Sequence, residues 1–241
     1  MKRFALLLLM VCFSFSTFTS CDTLNQVYGS LPNGEGEPTN QEIGFALKDA
    51  LVQGITNGAI KANKTDGYFK NPVIRVPWPE DARKVKNTLV TLGLESEVEK
   101  VELSINRAAE KAAIESVDIF KDAISQLTFQ DVVAIISGEE DAATNFLKRA
   151  TYSALTTRFE PIIEDALGDV NATKYWGDAI GVYNDLPTTF NKVNPDLTGF
   201  VTEKAIDGLF TLVAEEEAKI RKDPIARGTE VMRKVFGFYD N

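Results

Sequence analysis

Residues 104–113, SINRAAEKAA, set an amide, a guanidinium and a carboxylate among alanines: Asn106, Arg107 and Glu110. On a helix, positions three and four apart share a face. Asn106 and Glu110 then fall on one stripe with Leu103, Ala113, Val117 and Phe120, interrupting an apolar row. A second stripe, Val98, Val101, Ile105, Ala108 and Ala112, is apolar throughout, so burial on a wide face is expected. A carboxylate in such a place must be paired or neutralised, because an isolated buried charge costs several kcal/mol. Arg107, three residues before Glu110, and Asn106 are the nearest groups to satisfy it. One reading is a structural polar network that fixes helix register. The other is a catalytic or ligand-binding carboxylate whose pKa is raised by burial, as in a general acid. Glycosidase-type chemistry needs a second acid at a fixed separation, for which Glu203 and Asp207 are the candidates. The structural or binding cluster is the expectation, and the carboxylate enzyme its alternative.

Composition narrows the chemistry further. Histidine is absent from all 241 residues. That removes Ser-His-Asp and Cys-His nucleophilic catalysis, histidine-liganded zinc and imidazole proton transfer. No phosphate-binding loop, dinucleotide loop, EF-hand or zinc motif occurs, so neither a cofactor nor a metal site is expected. The acidic run Glu215–Glu217 offers Glu215 with Lys219 and Glu217 with Arg221 at i,i+4 spacing, which reads as a solvated helix face. A formal charge of −9 repels phosphate backbones and anionic headgroups, so nucleic acid is not an expected partner.

The elements that must position these residues begin after a leader. Lys2 and Arg3 precede the apolar run FALLLLMVCFSF, too short for a stable membrane span, and small polar residues lead to Cys21. FTSC resembles the lipobox of bacterial lipoprotein signals, which implies removal of residues 1–20 and acylation of Cys21; an ordinary secretory leader with an incidental cysteine is the alternative. The other cysteine, Cys12, lies inside the leader, so the mature chain has no intramolecular disulfide and relies on its core. Residues 21–40, rich in Gly, Pro, Asn and Glu, read as a flexible tether reaching at most roughly 60–70 Å. Residues 41–241 suffice for one domain.

That domain reads as all-α, a bundle of about seven to nine helices. Ile43, Leu47, Leu51, Ile55 and Ile60 define a first helix over 41–63, with Gly54 and Gly58 placed for close helix approach. Pro79 opens a second helix, with Gly93 as its stop, and a long helix follows over 95–125. Thr128 is an N-cap, Leu127 and Val132 a hydrophobic staple, and Gly138 a stop. Residues 139–170 form another long helix containing Pro161, which can kink or divide it. KYWGDAIGVYNDL and GFVTEKAIDGLFTLVAEEEAKIRK supply two more, and Asp223-Pro224 caps a last helix ending near Gly237. The exception is TDGYFKNPVIRVPWPE, residues 65–80, where Asn71, Val76 and Trp78 each precede a proline. It reads as an extended strap, either pinned over the core by its aromatics or forming the wall of a groove into which Arg75 and Trp78 face.

KTDGYFKNPVIRVPWPE, ELSINRAAEKAA, DAATNFLKRAT, FVTEKAIDGLFTLVAEEEAKIR and the closing RKVFG together resemble domain of unknown function 4197, bacterial proteins often preceded by a lipoprotein signal. The resemblance spans about residues 41–238 and implies a compact helical envelope domain. It brings no activity, and it carries Asn106, Arg107 and Glu110 as a motif without a role. The expected protein is a monomeric, lipid-anchored domain of the bacterial cell envelope. Its membrane contact is the lipid alone, and it binds a small ligand or an envelope protein. A carboxylate-based hydrolase and a purely structural scaffold are the alternatives.

Overall fold

The computed structural model describes residues 36–241 apart from 92, 94, 170–172, 174–175, 178–179, 182–183, 186–191, 195 and 241. The leader, Cys21 and nearly all of the tether lie outside the described residues. Residues 38–241 form one compact unit, which carries every described helix.

The fold is all-α, as expected. Its first helix, α1 (Asn40–Asn63), starts earlier than the tether reading allowed, because Thr39 and Glu42 form a capping box. The Thr39 amide donates to Glu42 Oε2 at 2.8 Å, and the Glu42 amide donates to Thr39 Oγ1 at 3.3 Å. A 3-10 turn (Glu80–Ala82) leads into α2 (Arg83–Thr91), and Gly93, at φ 80°, takes the left-handed conformation that ends it. The expected helix over 95–125 is two helices, α3 (Glu95–Ala113) and α4 (Ser116–Ser125). No glycine or proline marks the break; the Ser116 hydroxyl instead donates to the Ala113 carbonyl at 2.7 Å, taking up a carbonyl at the end of α3. Leu103, assigned to the buried stripe, is exposed, whereas Ile105, Ala108 and Ala112 of the second stripe are fully buried.

Thr128 caps α5 (Phe129–Ile136) with Asp131 as the reciprocal acceptor, and both staple residues are buried. Helix α6 (Ala142–Gly168) runs as one element through Pro161. Positions 176, 177, 180, 181 and 184 are helical, as expected for KYWGDAIGVYNDL. Helix α7 (Leu197–Lys222) is the spine of the domain, packed against α1, α3 and α6. Gly54 and Gly58 of α1 lie against it, with an ideal Cβ at Gly58 only 3.5 Å from Val213. Asp223-Pro224 caps only a 3-10 turn (Pro224–Ala226). The last helix, α8 (Glu230–Tyr239), has Thr229 as its own N-cap and runs through Gly237.

The strap is less extended than its prolines implied. Residues 65–70 and 72–74 are wound into turns, and only 75–79 run straight. Asp66 takes φ 66°, and the Gly67 backbone presses so close to the end of α1 that a Cβ there would sit 2.4 Å from the Ala62 carbonyl. A proline fixes its own φ and restricts the residue before it, which leaves the chain from Gly67 to Lys70 free to turn.

Candidate functional site

Polar residues of α3 hold the strap from beneath. Asn106 is fully buried and faces Val76, whose neighbour Pro77 keeps it extended. The Val76 amide donates to Asn106 Oδ1 at 2.9 Å, and Asn106 Nδ2 donates to the Val76 carbonyl at 3.0 Å and to the Glu102 carbonyl at 2.8 Å. One side-chain amide thus gives an isolated extended residue the two bonds that a neighbouring strand would supply. Among the described residues no hydrogen bond joins it to Glu110, contrary to expectation.

Glu110, 4% exposed, holds the wound half of the strap. Its Oε1 accepts from the amides of Tyr68 and Phe69 at 3.1 and 3.2 Å, and its Oε2 accepts from Arg107 Nη1 at 2.5 Å. Arg107 bridges on to Asp66 Oδ1 at 2.6 Å. Lys70 and then Arg107 hold the Asp66 carboxyl below the usual carboxylate range, while Glu110 and then Asp66 raise the Arg107 pKa. Asn63 Nδ2 donates to the Glu110 carbonyl at 2.8 Å and ties the end of α1 to the same point. Tyr68 is fully buried with its hydroxyl on the Ala205 carbonyl at 2.6 Å, and burial is the main reason its phenol stays protonated far above its ordinary range. Both oxygens of Glu110 are therefore engaged in holding the backbone of the strap.

The other acids considered as its catalytic partner stand elsewhere. Asp207 pairs with Lys148 at 2.9 Å, and Glu203, exposed, with Lys204 at 3.3 Å. Tyr152 feels both: its phenol is raised first by burial and then by the charges of Asp207 and Glu203. Among the described residues neither acid is joined to Glu110 by a hydrogen bond.

Above the clamp lies an open groove of about 530 Å³ between the strap, α2 and α3. Pro72, Pro77 and Trp78 give it apolar walls; Arg75, Arg83, Lys86 and Asn87 give it donors; Glu102 is its carboxylate. Arg75 donates to Glu102 Oε2 at 2.8 Å and lies 4.7 Å from the Phe69 ring centroid, a cation–π contact. Lys86 pairs with Glu102 Oε1 from the other side. Trp78 donates to the Ala82 carbonyl at 3.1 Å, and its ring centroid lies 5.4 Å from that of Trp176. Arg75 and Trp78 thus take part in both arrangements foreseen for the strap: they pin it, and they line the groove.

Sequence reasoning missed a second set of buried charges. Glu216 and Glu217, assigned to a solvated face, are both buried. Glu217 accepts from the Ala143 and Thr144 amides at 3.0 and 2.8 Å and from the Thr144 hydroxyl at 2.8 Å, capping α6 from another helix. Its pairing with Arg221 at i,i+4 is present at 2.9 Å, and Arg221 also donates to the Ile135 carbonyl at the end of α5. Glu215 pairs with Lys61 rather than Lys219, which bonds Glu216. Arg227, fully buried, donates to the Ile220 and Arg221 carbonyls at the end of α7 and forms a two-bond pair with Asp240, both bonds at 2.7 Å. The Ala143, Thr144, Ile135, Lys61 and Asp240 partners lie on other elements, so no local spacing rule signals them.

Among the described residues no group of three or more acids, cysteines or histidines is placed to hold a metal ion, and no helix is long and apolar enough to cross a membrane. Fold and site together define an all-α domain in which an Asn-Arg-Glu clamp on one helix holds a proline-rich strap beside a basic groove. The chain belongs to the family described as protein of unknown function (DUF4197), whose model matches residues 37–237. No curated protein and no solved structure matches the chain.

Proposed function

We propose that the protein is a lipoprotein of the bacterial cell envelope, anchored through lipid on Cys21, whose monomeric helical domain binds a ligand or partner in the groove beside the strap. The observation that carries the binding role is the groove itself. It is walled by Trp78 and two prolines, furnished with polar groups from the strap, α2 and α3, and framed by a strap whose backbone is held by Asn106 and Glu110. Such a combination of apolar walls and a few fixed donors is what small-ligand sites share. The engagement of both Glu110 oxygens favours this role over a carboxylate hydrolase.

A photo-crosslinking residue at Asn87, in the full chain expressed in a bacterial host, tests the groove. Adducts are expected there and not from the same residue at Thr157, on the exposed side of α6. Equal or absent capture at the two positions refutes the binding role. Metabolic labelling with an alkyne fatty acid tests the anchor: the chain takes up label and sediments with membranes, and Cys21→Ala abolishes both. An unlabelled wild-type chain refutes the lipoprotein reading.

A further inference from the structure

The whole chain carries −9, yet three cations line this groove: Arg75 from the strap, and Arg83 and Lys86 from α2. Glu102 is the carboxylate among them, and its two oxygens are shared between Arg75 and Lys86. Its side chain is 14% exposed and sits at the floor, so the two cationic heads converge over it from opposite sides. One carboxylate facing two cations leaves an excess of positive charge. Arg83 adds a third, and its partner Glu80 is 77% exposed at the rim, where ion pairs are weak and readily exchanged. Some basic side chains of the domain are spent on closed pairs, as Arg227 is with Asp240 and Arg221 with Glu217. Here they remain incompletely neutralised beside the exposed faces of Pro72 and Pro77 and the ring of Trp78.

We propose that the groove binds an oxyanion-bearing ligand, phosphate or carboxylate, held by Arg83 and Lys86 and lying with its nonpolar part along Trp78. This rests on the reading of the groove as the binding site and adds the ligand's chemistry. Glu102 acts as a resident counter-ion that keeps Arg75 and Lys86 in place. A guanidinium and an ammonium together supply fork and point donors to an oxyanion. Without an apolar wall they would make only a weak, freely exchanging ion site, and without the clamp beneath Val76 the wall would have no fixed position.

Of the chain's two tryptophans, Trp78 lines the groove and the buried Trp176 packs against it, so intrinsic fluorescence reports on the groove. The full chain is titrated with pyrophosphate, citrate and the uncharged disaccharide cellobiose, and separately with phosphatidylglycerol vesicles. The expected result is a saturable change with pyrophosphate or citrate that fades with added salt and weakens at least about tenfold in the Arg83→Gln/Lys86→Gln double variant. Both side chains are on the surface of α2, and an unchanged thermal melt confirms that the variant is folded. A change with the vesicles and not the soluble anions assigns the oxyanion to a lipid headgroup. The proposal is overturned if no oxyanion, soluble or on vesicles, gives a saturable change, or if the double variant retains it. Should cellobiose alone shift the fluorescence, the groove remains a binding site and only the anionic chemistry falls. Should the crosslinker at Asn87 also capture nothing, the binding role falls with it.

Discussion

Replacing Asn106 tests whether a single side-chain amide holds the strap. In Asn106→Leu the branched shape and heavy-atom count are kept, but the Val76 amide and carbonyl lose their partners at a residue only 1% exposed. The Glu102 carbonyl, inside the α3 ladder, is not stranded by the change. Each orphaned group costs about 1–3 kcal/mol. Added leucine burial offsets part of this, leaving a loss of roughly 2–4 kcal/mol. Asn106→Asp keeps the acceptor for the Val76 amide and turns the donor into a carboxylate oxygen facing two carbonyls. Burial and those carbonyls raise the pKa of the introduced acid above its unfolded value of about 3.9. Its protonated form therefore retains stability below that pH, and the stability is lost as pH rises through the raised folded pKa. Urea unfolding followed by circular dichroism at acid and neutral pH separates the variants. Measured against wild type at the same pH, Asn106→Leu shows a loss nearly independent of pH, whereas Asn106→Asp is worst at neutral pH and partly recovers in acid. A loss below about 1 kcal/mol in Asn106→Leu, or a pH-independent Asn106→Asp, refutes the amide clamp.

Two glycines on different helices are expected to behave oppositely. Gly58→Ala meets Val213 at an ordinary 3.5 Å and gains about 0.5–1 kcal/mol of helix stability. In Gly208→Ala the new carbon lies 2.8 Å from the Tyr68 ring and 3.1 Å from the Ile74 Cβ, costing about 1–3 kcal/mol in the same unfolding assay. Equal effects would mean that Tyr68 does not seat on Gly208. Glu217→Ala strips the first turn of α6 of its acceptor and leaves Arg221 unpaired, for a loss of about 3–5 kcal/mol. Hydrogen exchange checks the mechanism, since the amides of Ala143 and Thr144 should lose protection first, and unchanged protection there sinks it. Acid should weaken the domain through carboxyls held below their ordinary range: Glu42 chiefly by Lys234, Asp66 by Lys70 and Arg107, Asp131 by Thr128, and Asp240 by Arg227. Each contributes stability above its unfolded pKa, about 4, that is lost as pH falls through its lower folded value. Thermal melts from neutral pH downward should fall steeply only below about pH 4, and Glu42→Gln should shallow that fall.

What sequence conveys here is local, and what it withholds is the identity of distant partners. The helical class, the Thr128 cap, its staple and the stop at Gly93 are legible because each rests on residues within one or two turns of one another. The Thr39–Glu42 capping box is equally local, but it is masked by the Gly- and Pro-rich residues before it, which read as tether. The break between α3 and α4 carries no such signal, since it depends on one serine reaching back to one carbonyl. The polar cluster on α3 lies between these cases. Helical periodicity places Asn106 and Glu110 in the interior, and solvation physics requires that they be satisfied. The nearest groups in sequence are the natural candidates to satisfy them. That choice succeeds for Arg107 and fails for Asn106, whose partner Val76 lies on the strap and is reached only after the chain has folded back. Glu217 fails in the same way: its i,i+4 arginine is visible in the spacing, while its bonds to Ala143 and Thr144 are hidden. In both places a side chain in a helix completes backbone that its own element cannot: an extended residue trapped between prolines, and the open first turn of α6. A polar residue at a core position thus points outward to a backbone group left unpaired elsewhere. Here those groups are marked in advance by the prolines of the strap and by a helix start, at Asp141, whose own side chain forms no cap.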